Sequence, residues 1–204
     1  MSFERPHLTA HILRIKGSAD SARLCAATGL SRTEVTAALS SLQRHGLARR
    51  AQAHTGEQVA WVLTDTGHHW HEQQLAAHRS AHLVAVLSEA YDRFLPVNHA
   101  VKQLCSRWQM LRSAGAGGDC GVVLTEQLVE IHRQAMKALL QAAAVAPRMR
   151  TYAVRLQRAV DQVRAGDYQY ISGVAIDSYH SVWFECHEDF LLTLGRDRVG
   201  TETG

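Results

Sequence analysis

The chain has 204 residues, 46% of them hydrophobic, only 3 prolines, and a formal net charge of +3. That length buries one large core or two modest ones, and the scarcity of proline beside abundant Ala, Leu, Gln and Arg favours helix. No run of about 18 apolar residues occurs, which argues against a membrane span, and the N-terminus (Met1, Ser2, Phe3, Glu4, Arg5, Pro6) lacks the apolar segment of a signal peptide. The expected setting is the cytoplasm.

Residues 1–80 hold nine Lys or Arg against six Asp or Glu, whereas residues 81–204 hold thirteen of each, so the whole positive excess lies in the first part. Eight of the 13 histidines lie there too. The four cysteines, Cys25, Cys105, Cys120 and Cys186, form no CxxC pair, so zinc-finger spacing is absent and a disulfide framework is not expected.

In chain order, residues 24–47 read as a short helix, a tight turn at Gly29, and a second helix closed by Gly46. Cys25 falls on the apolar face of the first helix and is expected to pack as a small hydrophobe. Ser31 with Glu34 three residues on is a capping box. Val35, Ala38, Leu39 and Leu42 recur at helical spacing as a buried face. The opposite face carries Arg32, Thr33, Thr36, Ser40 and Arg44, side chains that can meet phosphates and base edges. Residues 47–51 and 58–63 then read as two strands, with 54–57 as the turn and Gly56 suited to a positive φ. Thr64 or Asp65 caps another helix, expected over 66–79 with Trp70, Leu75 and Ala76 inward.

Helix, turn, helix, two-stranded wing and helix, in that order, resembles the winged helix-turn-helix domain of MarR and GntR bacterial transcription regulators. The shared pattern is Leu30-Ser31 opening the second helix, Gly46-Leu47 closing it, and Leu63-Thr64 with Gly67 after the wing; it covers about residues 8–75. The resemblance implies a sequence-specific regulator binding double-stranded DNA. It places Arg32, Thr33, Thr36 and Ser40 at the major groove and Arg44, Arg49 and Arg50 at phosphates, with Ser31 and, from the wing, His54 and Gln58 as further DNA contacts. A winged helix used for protein contacts, as an interaction module or scaffold, is the alternative. Arg32 and Arg44 favour DNA over it.

The rest reads as helices: 80–94 with Leu83, Val84, Val86, Leu87, Ala90, Tyr91 and Phe94 as an amphipathic pattern; Pro96, which kinks this helix or opens the next; then 97–112. The glycine-rich stretch 113–121 reads as an exposed loop. A redox role for Cys120 in that loop stays open, with exposure as the deciding property. Helices follow over 125–145, from Pro147 to about 165, and from an Asp167 cap to Leu194, with 196–204 as a frayed tail. The fold class expected is therefore mainly α, with a winged helix-turn-helix over 1–78 and an all-α bundle over 79–204. The bundle would serve homodimerisation, effector binding, or both, with Trp108, Trp183, Phe184 and Phe190 as anchors and Tyr168, Tyr170 and Tyr179 as amphipathic surface.

The stretch 177–189 is unusually polar for the middle of a bundle helix. His180 and His187, seven residues apart, lie roughly 10 Å apart on one face. Together with Asn98, His99 and His132 they form the candidate set for a small-molecule effector, with Asp177 or Glu188 orienting a histidine. Ordinary hydrogen bonding in the bundle is the plainer reading of these residues. A metal centre is disfavoured, since Asp92 and His99 do not match the Asp-x3-His element of metal-binding GntR domains; no cofactor is expected. No GxSxG, P-loop or dinucleotide motif occurs, so the chain does not read as an enzyme.

Overall fold

The computed structural model describes residues 3–52, 59–115 and 119–196, without the side chains of 52, 119 and 120. His54, Gln58 and the wing glycine Gly56 lie outside the described residues. The chain divides into two compact units at Ser80/Ala81. The architecture is mainly α, with a two-stranded antiparallel sheet in the first unit. Among the described residues no helix is long and apolar enough to cross a membrane.

Unit 1 consists of α1 (Arg5–Lys16), α2 (Ser21–Thr28), α3 (Arg32–Arg44), β1 (Ala48–Gln52), β2 (Val59–Leu63) and α4 (Asp65–Ala77). Pro6 sits in the first turn of α1, where the missing amide costs no hydrogen bond. This helix is not apparent from hydrophobic spacing. It buries His7, Thr9, Ala10, His11, Ile12, Leu13 and Ile15, so it is covered on nearly all sides and shows no polar-apolar alternation. Strands β1 and β2 pair from Ala48↔Leu63 to Gln52↔Val59. Ala19, between α1 and α2, exchanges both backbone hydrogen bonds with Trp61 at 2.8 and 3.1 Å and so extends the sheet.

The end of α3 and the start of α4 are tied together. Thr64 donates its hydroxyl to the Gly46 carbonyl at 2.6 Å, its amide binds the Leu47 carbonyl at 3.0 Å, and its Oγ1 caps the Gly67 amide at 3.0 Å. Gly67 lies so close to the Leu47 backbone that a Cβ there would overlap the carbonyl. Of the α4 positions expected to face inward, Leu75 is buried, Trp70 is half-buried and Ala76 is exposed; His71 and Gly67 are buried instead.

Unit 2 consists of α5 (Ala81–Ser113), α6 (Asp119–Val145), α7 (Met149–Arg164), α8 (Gln169–Ser172) and α9 (Tyr179–Leu194). Helix α5 packs on α6, α6 on α7, α7 on α9, and α9 back on α5. Three expectations are corrected here. Pro96 does not open a new helix: α5 runs through it as one helix of 33 residues. The buried series Leu87, Ala90, Phe94, Val97, Val101, Leu104, Trp108 passes Pro96 without a break in spacing, and the proline itself is exposed. The loss of one backbone bond is outweighed by a continuous packed face.

Second, residues 119–121 belong to α6 instead of a loop, which puts Cys120 in a helical turn. Gly121 is there because the Tyr168 ring lies against it and leaves no space for a Cβ. Third, no single helix spans 167–194. The chain forms α8, turns at Gly173, and restarts at Tyr179 with Ser178 as N-cap, its Oγ accepting from the Ser181 amide at 3.2 Å. Asp177 thus precedes α9.

Candidate nucleic-acid interface and the polar centre of the bundle

Helix α3 is presented by a series of local hydrogen bonds. Asp20 caps α2 by accepting from the Arg23 amide at 2.8 Å, and Gly29 ends α2 at φ 74°, a left-handed turn that glycine makes without strain. Ser31 then caps α3: its Oγ accepts from the Glu34 amide at 3.3 Å, and its own amide donates to Glu34 Oε2 at 2.9 Å. The hydroxyl also donates to that oxygen, at 2.8 Å. Ser31 is therefore bound into the helix start while remaining exposed. Arg5 of α1 reaches Glu34 Oε1 at 2.8 Å. The hydrogen bonds from Ser31, with Arg5 adding its charge, hold the Glu34 carboxyl below the usual carboxylate range.

Val35, Ala38, Leu39 and Leu42 are buried. Arg32, Thr33, Thr36, Ala37, Ser40, Gln43 and Arg44 are exposed, as are Arg49 and Arg50 on β1. Thr36 donates its hydroxyl to the Arg32 carbonyl at 2.8 Å. Arg49 and Arg50 are neighbours in one strand and so leave it on opposite faces. Arg50 lies over its cross-strand partner Trp61, 5.4 Å from the ring centroid, which holds the guanidinium near the sheet surface. The outer face of α3 is thus basic and hydroxyl-rich. Its one acid is folded into the cap.

The interface of α1 with α4 carries a feature that spacing did not bring out. His11 Nδ1 and His71 Nε2 are 2.9 Å apart and both residues are fully buried. His7 and His78 pack beside them, ring centroids 5.4 Å apart, with Trp70 edge-on to His7 at 5.6 Å. The high histidine count of the first 80 residues was the available signal. Pairing them needed the fold.

In unit 2 the candidate effector residues do not converge. Asn98 is buried and its Oδ1 accepts from Trp183 Nε1 at 2.9 Å. His187 is buried, 2.9 Å from the Tyr91 hydroxyl, and tilted against Phe94. His99 is exposed on another side of α5, bonded to the Gln103 amide at 2.8 Å. His132 donates to Gln157 Oε1 of α7 at 2.9 Å, and burial lowers its pKa. His180 is half-buried, its pKa also lowered by burial. Three clefts on this unit, of about 580, 310 and 640 Å³, are lined by other residues. Among the described residues no group of three His, Cys, Asp or Glu could hold a metal ion.

Asp177, expected to orient a histidine, is engaged by an arginine. It receives Arg155 in a two-point contact, Nε to Oδ2 at 2.8 Å and Nη2 to Oδ1 at 2.9 Å, while Nη1 of the same arginine meets Glu185 at 2.7 Å. Two helical turns away, Arg148 meets Asp189 through Nε and Nη2 at 2.7–3.1 Å, and the Thr193 and Tyr152 hydroxyls also donate to that carboxylate. Burial penalises the Arg155 charge, but Asp177 and Glu185 outweigh it and its pKa rises. Burial, with Asp189 next, pushes the Tyr152 phenol well up.

Much of the polarity of 177–189 is thus an ionic framework joining α7 to α9, buried at Arg148, Arg155, Glu185 and Asp189 and open to solvent at Asp177. Its legible sign is Arg155 standing between Tyr152, Leu156 and Ala159 on a buried stripe. Burial drives the Cys105 thiol up to about 12 and also raises Cys186 well above the usual thiol range, so neither is a ready nucleophile. The proposed interface anchors Trp108, Trp183 and Phe190 are also spent inside the unit, at 4, 2 and 0% exposure; only Phe184, at 46%, stands out. Compared with protein-family models, with curated protein sequences and with solved structures, the chain gives no match.

Proposed function

We propose that this protein is a sequence-specific, DNA-binding transcriptional regulator. Unit 1 would set α3 in the major groove, and unit 2 would supply dimerisation and response to a small effector. One observation carries the reading: α3 is rigidly capped and presents Arg32, Thr33, Thr36, Ser40 and Arg44 to solvent with no exposed acid among them. An acid-free helical face of this kind suits a polyanion whose base edges lie in a groove of helix width. A homodimer fits because two such helices, one DNA turn apart, define a site that one helix cannot.

The test is binding of the full chain to DNA selected from a random duplex pool, followed through a salt series. Arg32→Ala is expected to cost about 1–3 kcal/mol and to relax the preference at one base pair. Arg50→Ala is expected to weaken binding to all sequences and to reduce the salt slope by about one. DNA affinity unchanged in both variants, with the fold intact, would sink the assignment of this face. Sedimentation at micromolar concentration tests the dimer, and a monomer alone would overturn it.

A further inference from the structure

We propose that α3 selects its site chiefly through thymine methyl groups, with one guanine read by Arg32 at the edge of the contact. The proposal rests on the DNA-binding reading above and specifies the base chemistry of that same face. At 100° per residue, Thr33, Thr36, Ala37 and Ser40 fall within about 100° of arc and form the first two turns of the exposed surface, which Arg44 continues on the same arc toward the end of the helix. All four side chains are short, so the helix backbone can lie deep in a groove. None has the amide, carboxylate or guanidinium that makes a two-point contact with a base.

What they offer is mostly methyl. Thr36 has turned its hydroxyl hydrogen back onto the Arg32 carbonyl, 2.8 Å away. Outward it shows its methyl and an oxygen lone pair. Ala37 shows a methyl alone, and Thr33 a methyl and a hydroxyl. The apolar mark on a major-groove edge is the C5-methyl of thymine, which cytosine lacks.

The acid that would have read cytosine's amino group is withdrawn: Glu34 is bonded to Ser31 and to Arg5. Arg32 stands at the helix start, where recognition helices meet base edges. It has no ion-pair partner among the described residues, so its guanidinium fork is available to guanine O6 and N7.

The experiment uses the full-length protein and the duplex it enriches from a random pool. Each thymine of the enriched site is replaced singly by deoxyuridine, which removes the methyl and nothing else. Loss of about fourfold in affinity at two or more central positions is expected, the worth of one methyl taken out of water. Thr36→Ser is expected to abolish the thymine-uracil difference at one of those positions, and Thr36→Val to retain it. Position 36 is exposed, so both variants keep the fold. An enriched site indifferent to every uracil substitution overturns the methyl reading and leaves the regulator reading in place. Equal behaviour of the Ser and Val variants overturns the role of Thr36. A pool from which no sequence is enriched overturns both readings.

Discussion

In unit 1 the arginines at 32, 44, 49 and 50 stand in solvent, and the fully buried polar side chains at the α1–α4 interface are imidazoles bonded to each other. Unit 2 also exposes arginines, Arg93, Arg107 and Arg158 among them, but it buries two: Arg148 and Arg155 are 8% and 3% exposed, each closed off by carboxylates from α9 or the turn before it. A charge kept in water remains available to a partner, whereas one buried and paired is consumed in fixing one helix against another. The contrast separates a surface suited to recognition from a framework suited to holding shape.

Breaking the framework gives the largest expected effect. Asp189→Ala leaves Arg148 buried without its carboxylate and takes a partner from Tyr152 and Thr193. We expect unit 2 to lose about 3–5 kcal/mol in denaturant unfolding, the cost of stranding one member of a buried pair. A loss under about 1 kcal/mol, the scale of exposed pairs, would mean that water reaches this carboxylate and that the contrast between the units is false.

A smaller effect is expected where unit 1 depends on close approach and not on charge. Gly67→Ala drives a methyl into the Leu47 carbonyl, at the junction that joins the end of α3 to the start of α4. Overpacking of this kind costs about 1–3 kcal/mol, and because α3 is seated there, DNA affinity should fall with stability. A variant with wild-type thermal unfolding would show that this junction yields easily.

The smallest effect is a pH dependence in unit 2. Burial lowers the pKa of His132 and of His180 from an ordinary value of 6.5. Below that value the unfolded chain takes up protons that the folded one refuses. Stability is therefore complete above about pH 6.5 and declines as the pH falls toward the depressed folded values. His132→Gln should flatten part of this decline. A midpoint of thermal unfolding that stays constant through that range would count against the burial of both groups.

The helix-turn-helix was readable because its determinants are close in sequence. Ser31 and Glu34 are three residues apart, Val35 to Leu42 follow one helical period, and Gly29 sits at the residue whose backbone must turn left-handed. Interactions of that range are the same whatever the remainder of the chain does. Helix α1 was not readable, because burial on nearly every side erases the periodicity that marks a helix. Pro96 was read as a kink or a helix start, and Gly121 as part of a loop, for a related reason. Their local preference is against helix, and only the packed face of α5 and the Tyr168 ring override it.

The candidate site divides along the same line. Which side chains of α3 face outward follows from spacing, and the structure exposes Arg32, Thr33, Thr36, Ser40 and Arg44 as that spacing requires. Which acid meets Arg155, and that Asn98 serves Trp183 while His187 lies beside Tyr91, follow from contacts between residues 22 to 96 positions apart. A sequence states that such polar groups must be paired if buried. It does not state with whom, since the partner is chosen by how α5, α7 and α9 come together.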